Sequence, residues 1–255
     1  MTLRINLNAD LGESYGAWDM GRDVEILSTV TSANIACGFH AGDPLVMRRT
    51  LQHARQAGVG VGAHPSFPDL QGFGRRNMQI PAPELEAIII YQLAALAGMA
   101  QAEGLRMEHV KPHGALNNMA CADPTLAATV ARAVRDFDPD LILLAPACSH
   151  LGAAGRAAGL RVVDEIFADR AYQDDGQLVP RSRPDAMIHG AEAALAHVSA
   201  MLAEQALIST NGVRIPAPIG SICVHGDSPD AVETARFLRA GLERMGYGLV
   251  SLSGV

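Results

Sequence analysis

Short apolar runs in this chain end repeatedly in acids, imidazoles and amides, and the only lysine stands at one of those ends. The first run stops in Asn8-Ala9-Asp10-Leu11-Gly12-Glu13, the second in Cys37-Gly38-Phe39-His40-Ala41-Gly42-Asp43 and the third in Ala63-His64-Pro65-Ser66. The fourth stops in His109-Val110-Lys111-Pro112-His113-Gly114. Two later runs lead into Phe167-Ala168-Asp169-Arg170 and Val224-His225-Gly226-Asp227. Asp, Glu and His are the side chains that move protons in general acid–base catalysis. A compact ammonium suits a carbonyl oxygen, a carboxylate or a phosphate.

Each residue alone is weak evidence. A lone strand-end histidine is more often structural, and Asp43 before Pro44 has the form of a helix cap. A sole lysine also fits a plain preference for arginine. Together they make Asp10, Glu13, His40, His64, Lys111, His113, Asp169 and His225 candidates for catalysis. Asp43, Arg75, Arg76, Arg170 and Asp227 are candidates for substrate binding. Carboxylate and imidazole suit zinc or manganese, so Asp10, His40 and His64 are a chemically open set for a divalent metal. No HxxxH or HExxH spacing supports that set.

The elements that must position these residues alternate in type. Seven β-like runs (Leu3–Ala9, Ala33–Cys37, Val59–Ala63, Met107–Val110, Leu141–Ala145, Arg161–Ile166 and Ser221–Val224) are separated by Ala/Leu-rich stretches with helical spacing. The stretches are 44–57, 83–103, 124–136, 149–158, 185–206 and 229–245, and a weak last strand falls at Gly248–Leu252. Asp43-Pro44, Asp123-Pro124 and Ser228-Pro229 have the form of helix starts. Alternation of this kind predicts parallel βαβ units. Polar residues follow nearly every strand, rather than those beside one switch point. A TIM-like (β/α) barrel of seven or eight strands, one domain over 1–255, is therefore expected, with its site at the strands' C-terminal ends. The long loops 64–82 and 167–184 have the character of lids or binding loops.

Composition narrows the partners. The chain has 255 residues, 49% hydrophobic and 18% charged, enough for a large core. Net charge is −7 with no basic patch, which argues against nucleic acid. The most apolar stretch, 87–100, is interrupted by Tyr91-Gln92, so no membrane span is expected. Four cysteines without a CxxC pair fit reduced thiols in a cytoplasmic protein. No GxxxxGK[ST] phosphate loop and no GxSxG elbow occurs.

The ordered motifs resemble the LamB/YcsF family, the A subunits of bacterial ATP-dependent 5-oxoprolinase. The resemblance is carried by Asn8–Ser14, Asn34–Asp43, Gly62–Asp69, Gly72–Arg76, Lys111–Leu116, Glu165–Tyr172 and Cys223–Asp227. Asn117 stands where the family usually has tyrosine, and Asn8-Ala9 where it usually has an Asx-Cys pair. The resemblance implies a barrel related to polysaccharide deacetylases. It implies opening of the 5-oxo-L-proline lactam to L-glutamate, driven by ATP, with partner subunits B and C. On that basis Lys111 with Arg75, Arg76 or Arg170 would hold the substrate carboxylate and developing phosphate charge. Asp10, Glu13 or His64 would act as base, and His113 and His225 would donate to the leaving nitrogen. Two readings compete: a metal-dependent amidohydrolase or deacetylase needing no ATP, and a substrate-holding subunit with the chemistry elsewhere.

Overall fold

The first strand shows how the fold is built. In β1 (Leu3–Leu11), Ile5, Leu7, Ala9 and Leu11 are buried, and Asn6, Asn8 and Asp10 alternate with them. Successive side chains of a strand point to opposite faces. One face of β1 is therefore apolar, against helices, and the other is polar, inside what becomes a barrel.

The computed structural model describes residues 3–224 and 231–255. After β1 come α1 (Asp23–Leu27), β2 (Ser32–Ala36), α2 (Pro44–Ala57), β3 (Gly60–His64) and α3 (Ala82–Ala102). They are followed by β4 (Met107–Val110), α4 (Gly114–Ala122), α5 (Pro124–Phe137), β5 (Ile142–Pro146), α6 (His150–Ala157) and β6 (Arg161–Phe167). The chain then forms α7 (Ala191–Glu204), an antiparallel hairpin of β7 (Ala206–Ile208) and β8 (Arg214–Pro216), β9 (Ser221–Val224), α8 (Ala231–Arg244) and β10 (Tyr247–Leu249).

Strands β1 to β6 and then β9 pair in parallel, and β9 pairs back onto β1. The expected (β/α) barrel is thus present as seven closed strands. The weak last strand is β10, which pairs with the start of β1 through Leu3↔Tyr247 and Ile5↔Leu249. Beyond it a short 3₁₀ turn, Leu252–Gly254, seals the strands' N-terminal mouth. Leu252 packs with Ile142, Leu144 and Val163, and its N–H donates to Ser32 Oγ.

Above that plug the barrel is filled with polar side chains. Asn6 Nδ2 donates to Ser32 Oγ, Ser221 Oγ donates to Asn6 Oδ1, and Asn8 Nδ2 donates to Ser221 Oγ and Glu165 Oε1. Buried polar groups persist when bonded in this way. Gly62 makes room for the layer, since a Cβ there would lie 2.3 Å from the His109 ring.

Asp43 and Asp123 cap α2 and α5 as their sequences predict, each accepting two backbone N–H bonds. The Ser228-Pro229 start lies outside the described residues. Short α1, helix α4 directly after the lysine motif, and the β7–β8 hairpin were not apparent in the sequence. The helix expected over 185–206 is shorter, beginning after Gly190, whose φ of +88° opposes helix entry.

Helix α3 is long and apolar enough by composition to cross a membrane. Here Leu85, Ile89, Leu93 and Leu96 are buried in the core. Its buried Gln92 accepts from the Ser66 N–H and donates to the Ser66 carbonyl, clamping the loop after β3. Gln92→Leu leaves that backbone N–H and carbonyl unsatisfied. It should destabilise the protein by about 2 kcal/mol or more, read from the urea midpoint.

Candidate active site

The site stands on one buried ammonium. Alternation along β4 puts His109 inside the barrel and Lys111 just above it. Lys111 Nζ lies 3.1 Å from Asp10 Oδ1, 3.1 Å from Glu165 Oε1, 3.2 Å from Asn8 Oδ1 and 3.0 Å from Cys223 Sγ. Burial pulls the ammonium pKa down, but the surrounding acids, Asp10 foremost, outweigh it and hold Lys111 charged. Burial raises the Glu165 carboxyl, with Lys111 opposing, and also raises the Cys223 thiol, which stays neutral. Asn34 Nδ2 donates to Asn8 Oδ1 and Asp10 Oδ1, and its own oxygen accepts from His109 Nε2 at 2.7 Å. Burial first, then Lys111, pushes His109 down to about 3, so it is neutral.

Above the lysine three imidazoles gather from three strand ends. His40 stacks on His113 at 3.7 Å, and His64 meets both edge-on. Two backbone carbonyls set the tautomers. His64 Nδ1 lies 2.6 Å from the Lys111 carbonyl, and His113 Nε2 lies 2.9 Å from the Phe73 carbonyl. A carbonyl only accepts, so each of these nitrogens carries the proton. The other two nitrogens, His64 Nε2 and His113 Nδ1, then face each other at 2.9 Å. Asp10 Oδ2 approaches His64 Nε2 at 3.3 Å, and Glu13 Oε1 lies 3.6 Å from His113 Nδ1 and 3.0 Å from His40 Nε2. Burial, reinforced by the neighbouring imidazoles, holds His40 and His113 well below the usual histidine range.

Acceptor atoms crowded around one point need positive charge between them, either a proton or a metal ion. One donor atom from each of Glu13, His40, His64 and His113 lies within 4.8 Å of the others, which fits a divalent cation. This set differs from the expected trio of Asp10, His40 and His64. Glu13 and His113 join His40 and His64, while Asp10 Oδ1 is engaged by Lys111 and Asn34. No short sequence spacing reveals the set because its members come from four different strand ends.

The loop after β3 braces the cluster. Phe73 adopts a left-handed φ of 53° to aim its carbonyl at His113. Gly74 passes so close that a Cβ would lie 2.3 Å from Ser66 Oγ and 2.8 Å from both His40 and His113. Asp69 ties the loop by accepting from the Gly72 and Arg76 N–H groups and from the Arg76 guanidinium.

Asp10, Glu13, His64, Lys111, His113, Arg75 and Arg170 line one cavity of about 600 Å³, with His40 stacked behind His113. Asp43, Arg76 and Asp169 do not line it. Asp43 caps α2 and also accepts from the Gly16 N–H, and Arg76 serves Asp69. The Asp169 carbonyl accepts from the Ile188 N–H. His225 and Asp227 lie outside the described residues. The sequence reading missed Asn8, Asn34, Glu165 and Cys223 as partners of the site. For Asn8, Asn34 and Cys223 the signal was a polar residue two positions from another in an otherwise apolar strand, whereas Glu165 stands beside Asp164 and between Val163 and Phe167 on its face, with no such pattern.

Fold and site together define a (β/α) barrel protein with a polar centre at the strands' C-terminal ends. A peptidoglycan N-acetylglucosamine deacetylase from Eubacterium rectale shares that fold, with a TM-score of 0.54 at 12% identity over 99% of this chain and 89% of that one. The chain belongs to the LamB/YcsF family, which it matches over residues 5–255. A relative from Azoarcus sp. (strain BH72), named as the A subunit of 5-oxoprolinase, is 59% identical over 98% of each chain. The crystal structure of the Lactam Utilization Protein from Thermus thermophilus superposes with a TM-score of 0.92 at 44% identity, covering 98% of this chain and all of that one.

Two outcomes check the site. Titration with Zn²⁺ or Mn²⁺ should show one site, weakened at least about tenfold in Glu13→Ala or His113→Ala. Absence of binding would leave a shared proton as the positive charge between these acceptors. Lys111→Met strands two buried carboxylates and should cost about 3–5 kcal/mol. Burial raises Glu165 in the folded state, so the variant's deficit is smallest in acid. It should grow as pH rises through the raised Glu165 pKa, as followed by urea unfolding across pH.

Proposed function

We propose that this chain is the A subunit of a 5-oxoprolinase, opening the lactam of 5-oxo-L-proline with water to give L-glutamate. ATP drives the reaction, handled together with partner subunits B and C. The observation that carries this reading is the Lys111 ammonium, shared between Asp10 and Glu165 on the cavity floor, directly beneath imidazole lone pairs. The names of the relatives from Azoarcus and Thermus point to the same chemistry.

The floor supplies what an amide hydrolysis needs. An ammonium fixed by two carboxylates can stabilise the oxygen on which charge develops, without rearranging during the reaction. His64 Nε2, backed by Asp10, faces the cavity as a proton acceptor and can take a proton from attacking water. His113 cannot begin as the donor to the leaving nitrogen, because its N–H is held by the Phe73 carbonyl. It can donate only after its Nδ1 has gained a proton, so acid follows base in order. In the alternative arrangement Glu13, His40, His64 and His113 would hold a divalent cation, which would supply Lewis-acid polarisation of the lactam carbonyl, and His64 Nε2 and His113 Nδ1 would then be ligands rather than proton acceptors. An unstrained lactam is a poor electrophile and its opening is uphill, which is the physical reason for coupling to ATP.

A metal-dependent amidohydrolase without ATP is favoured by one observation, the crowding of acceptors in the histidine cluster. Glutamate formation from 5-oxoproline, assayed with and without ATP and with and without B and C subunits, separates the readings. Activity is expected only in the complete mixture. Asp10→Asn or Lys111→Met should lower it by at least about a hundredfold. Full turnover without ATP would favour the amidohydrolase, and full turnover by both variants would place the chemistry elsewhere.

A further inference from the structure

The cavity is larger than its floor requires. A volume of about 600 Å³ suits a drug-sized ligand, and a single five-membered lactam acid fills a fraction of it. The remainder lies between the loop carrying Phe73 and Arg75 and the loop carrying Gln173, Gln177 and Arg181. Arg170 forms the wall between them.

Three arginines line this outer part. Arg75 and Arg181 are exposed, and Arg75 lies over the Phe73 ring at 5.0 Å to its centroid. Arg170 is only 5% exposed. Its Nη2 donates to the Val179 carbonyl at 2.8 Å, but its buried Nε has no hydrogen-bond partner among the described residues. An unmade bond on a buried cation is costly unless a ligand completes it. Burial, then repulsion from Arg181, outweighs attraction to Asp169 and brings Arg170 down to about 10. The group thus remains charged at neutral pH, with its buried Nε–H unsatisfied.

We propose that Arg75, Arg170 and Arg181 form a phosphoryl subsite at the cavity rim, holding a tetrahedral dianion beside a lactam bound on the floor. The guanidinium fork matches phosphate oxygens in pairs, whereas one substrate carboxylate occupies one fork. Gln173 and Gln177 line the same side, their amides donating to the Leu178 and Cys121 carbonyls. The subsite rests on the lactam reading of the floor, but its charge and room are independent of that reading. Two sources present this group: a lactam phosphorylated on its oxygen, and the terminal phosphoryl of a nucleotide.

Calorimetry on the full chain tests it, using inorganic phosphate, phosphate with saturating 5-oxoproline, and ATP. Phosphate should bind at one site. Arg170→Met, and separately the exposed pair Arg75→Gln with Arg181→Gln, should weaken it at least about tenfold. The exposed pair keeps the test valid if Arg170→Met does not fold. In that pair 5-oxoproline affinity should change less than about threefold. Tighter phosphate binding with 5-oxoproline present assigns the group to the lactam, and tighter binding of ATP than of phosphate assigns it to the nucleotide. No phosphate binding, or binding unchanged in both variants, overturns the subsite. So does parallel loss of 5-oxoproline and phosphate, which would make these arginines the carboxylate site. Phosphate binding with no 5-oxoproline binding upholds the subsite and overturns the lactam reading instead.

Discussion

A lysine ammonium held inside a barrel constrains everything around it. Removing a charge from water is costly unless opposite charge and hydrogen bonds replace the lost hydration. Lys111 receives Asp10, Glu165, the Asn8 amide oxygen and the Cys223 sulfur. Asn8 and Asp10 are oriented in turn by Asn34, and Asn34 by His109. His109 fits only because residue 62 is glycine. The polar column therefore extends from the lysine down to the C-terminal plug, and each layer positions the one above it.

The same constraint prepares the upper half of the site. The backbone carbonyl of Lys111 receives the His64 proton, so the residue that supplies charge at its side chain also sets a tautomer at its backbone. Phe73, in a strained conformation, does the equivalent for His113. The outcome is a cluster whose lone pairs are turned toward one another and toward the cavity. Such an arrangement is poor in isolation and good for holding a cation or accepting a proton, which is why strain is tolerated there.

A division of labour follows from the geometry. The floor carries buried, mutually compensated charge on rigid strands, suited to stabilising charge at one fixed atom. The rim carries exposed arginines on loops, suited to receiving an anion from outside. Residues of the long loops 64–82 and 167–184, Arg75, Arg170 and Arg181 among them, line that side of the cavity. Helix α3, despite its apolar character, serves the site from behind through Gln92.

Alternating apolar runs and helical stretches were sufficient to read the barrel, because period-two and period-3.6 patterns are local properties of the chain. The polar strand ends were legible for the same reason, and so were the caps at Asp43 and Asp123. Asp43 and Arg76 have local duties as a cap and a loop tie, which use the same side-chain chemistry as substrate binding, so sequence alone does not separate the two. Local pattern was thus enough to say which residues reach the C-terminal face and that the sole lysine is among them. Folding in three dimensions was needed to make Glu165 and Asn8 its partners, to complete the histidine cluster with Glu13 and His113, and to bring Arg181 to Arg75 and Arg170. Those pairings join residues far apart in the chain, and barrel closure sets them through strand register, which no local pattern encodes.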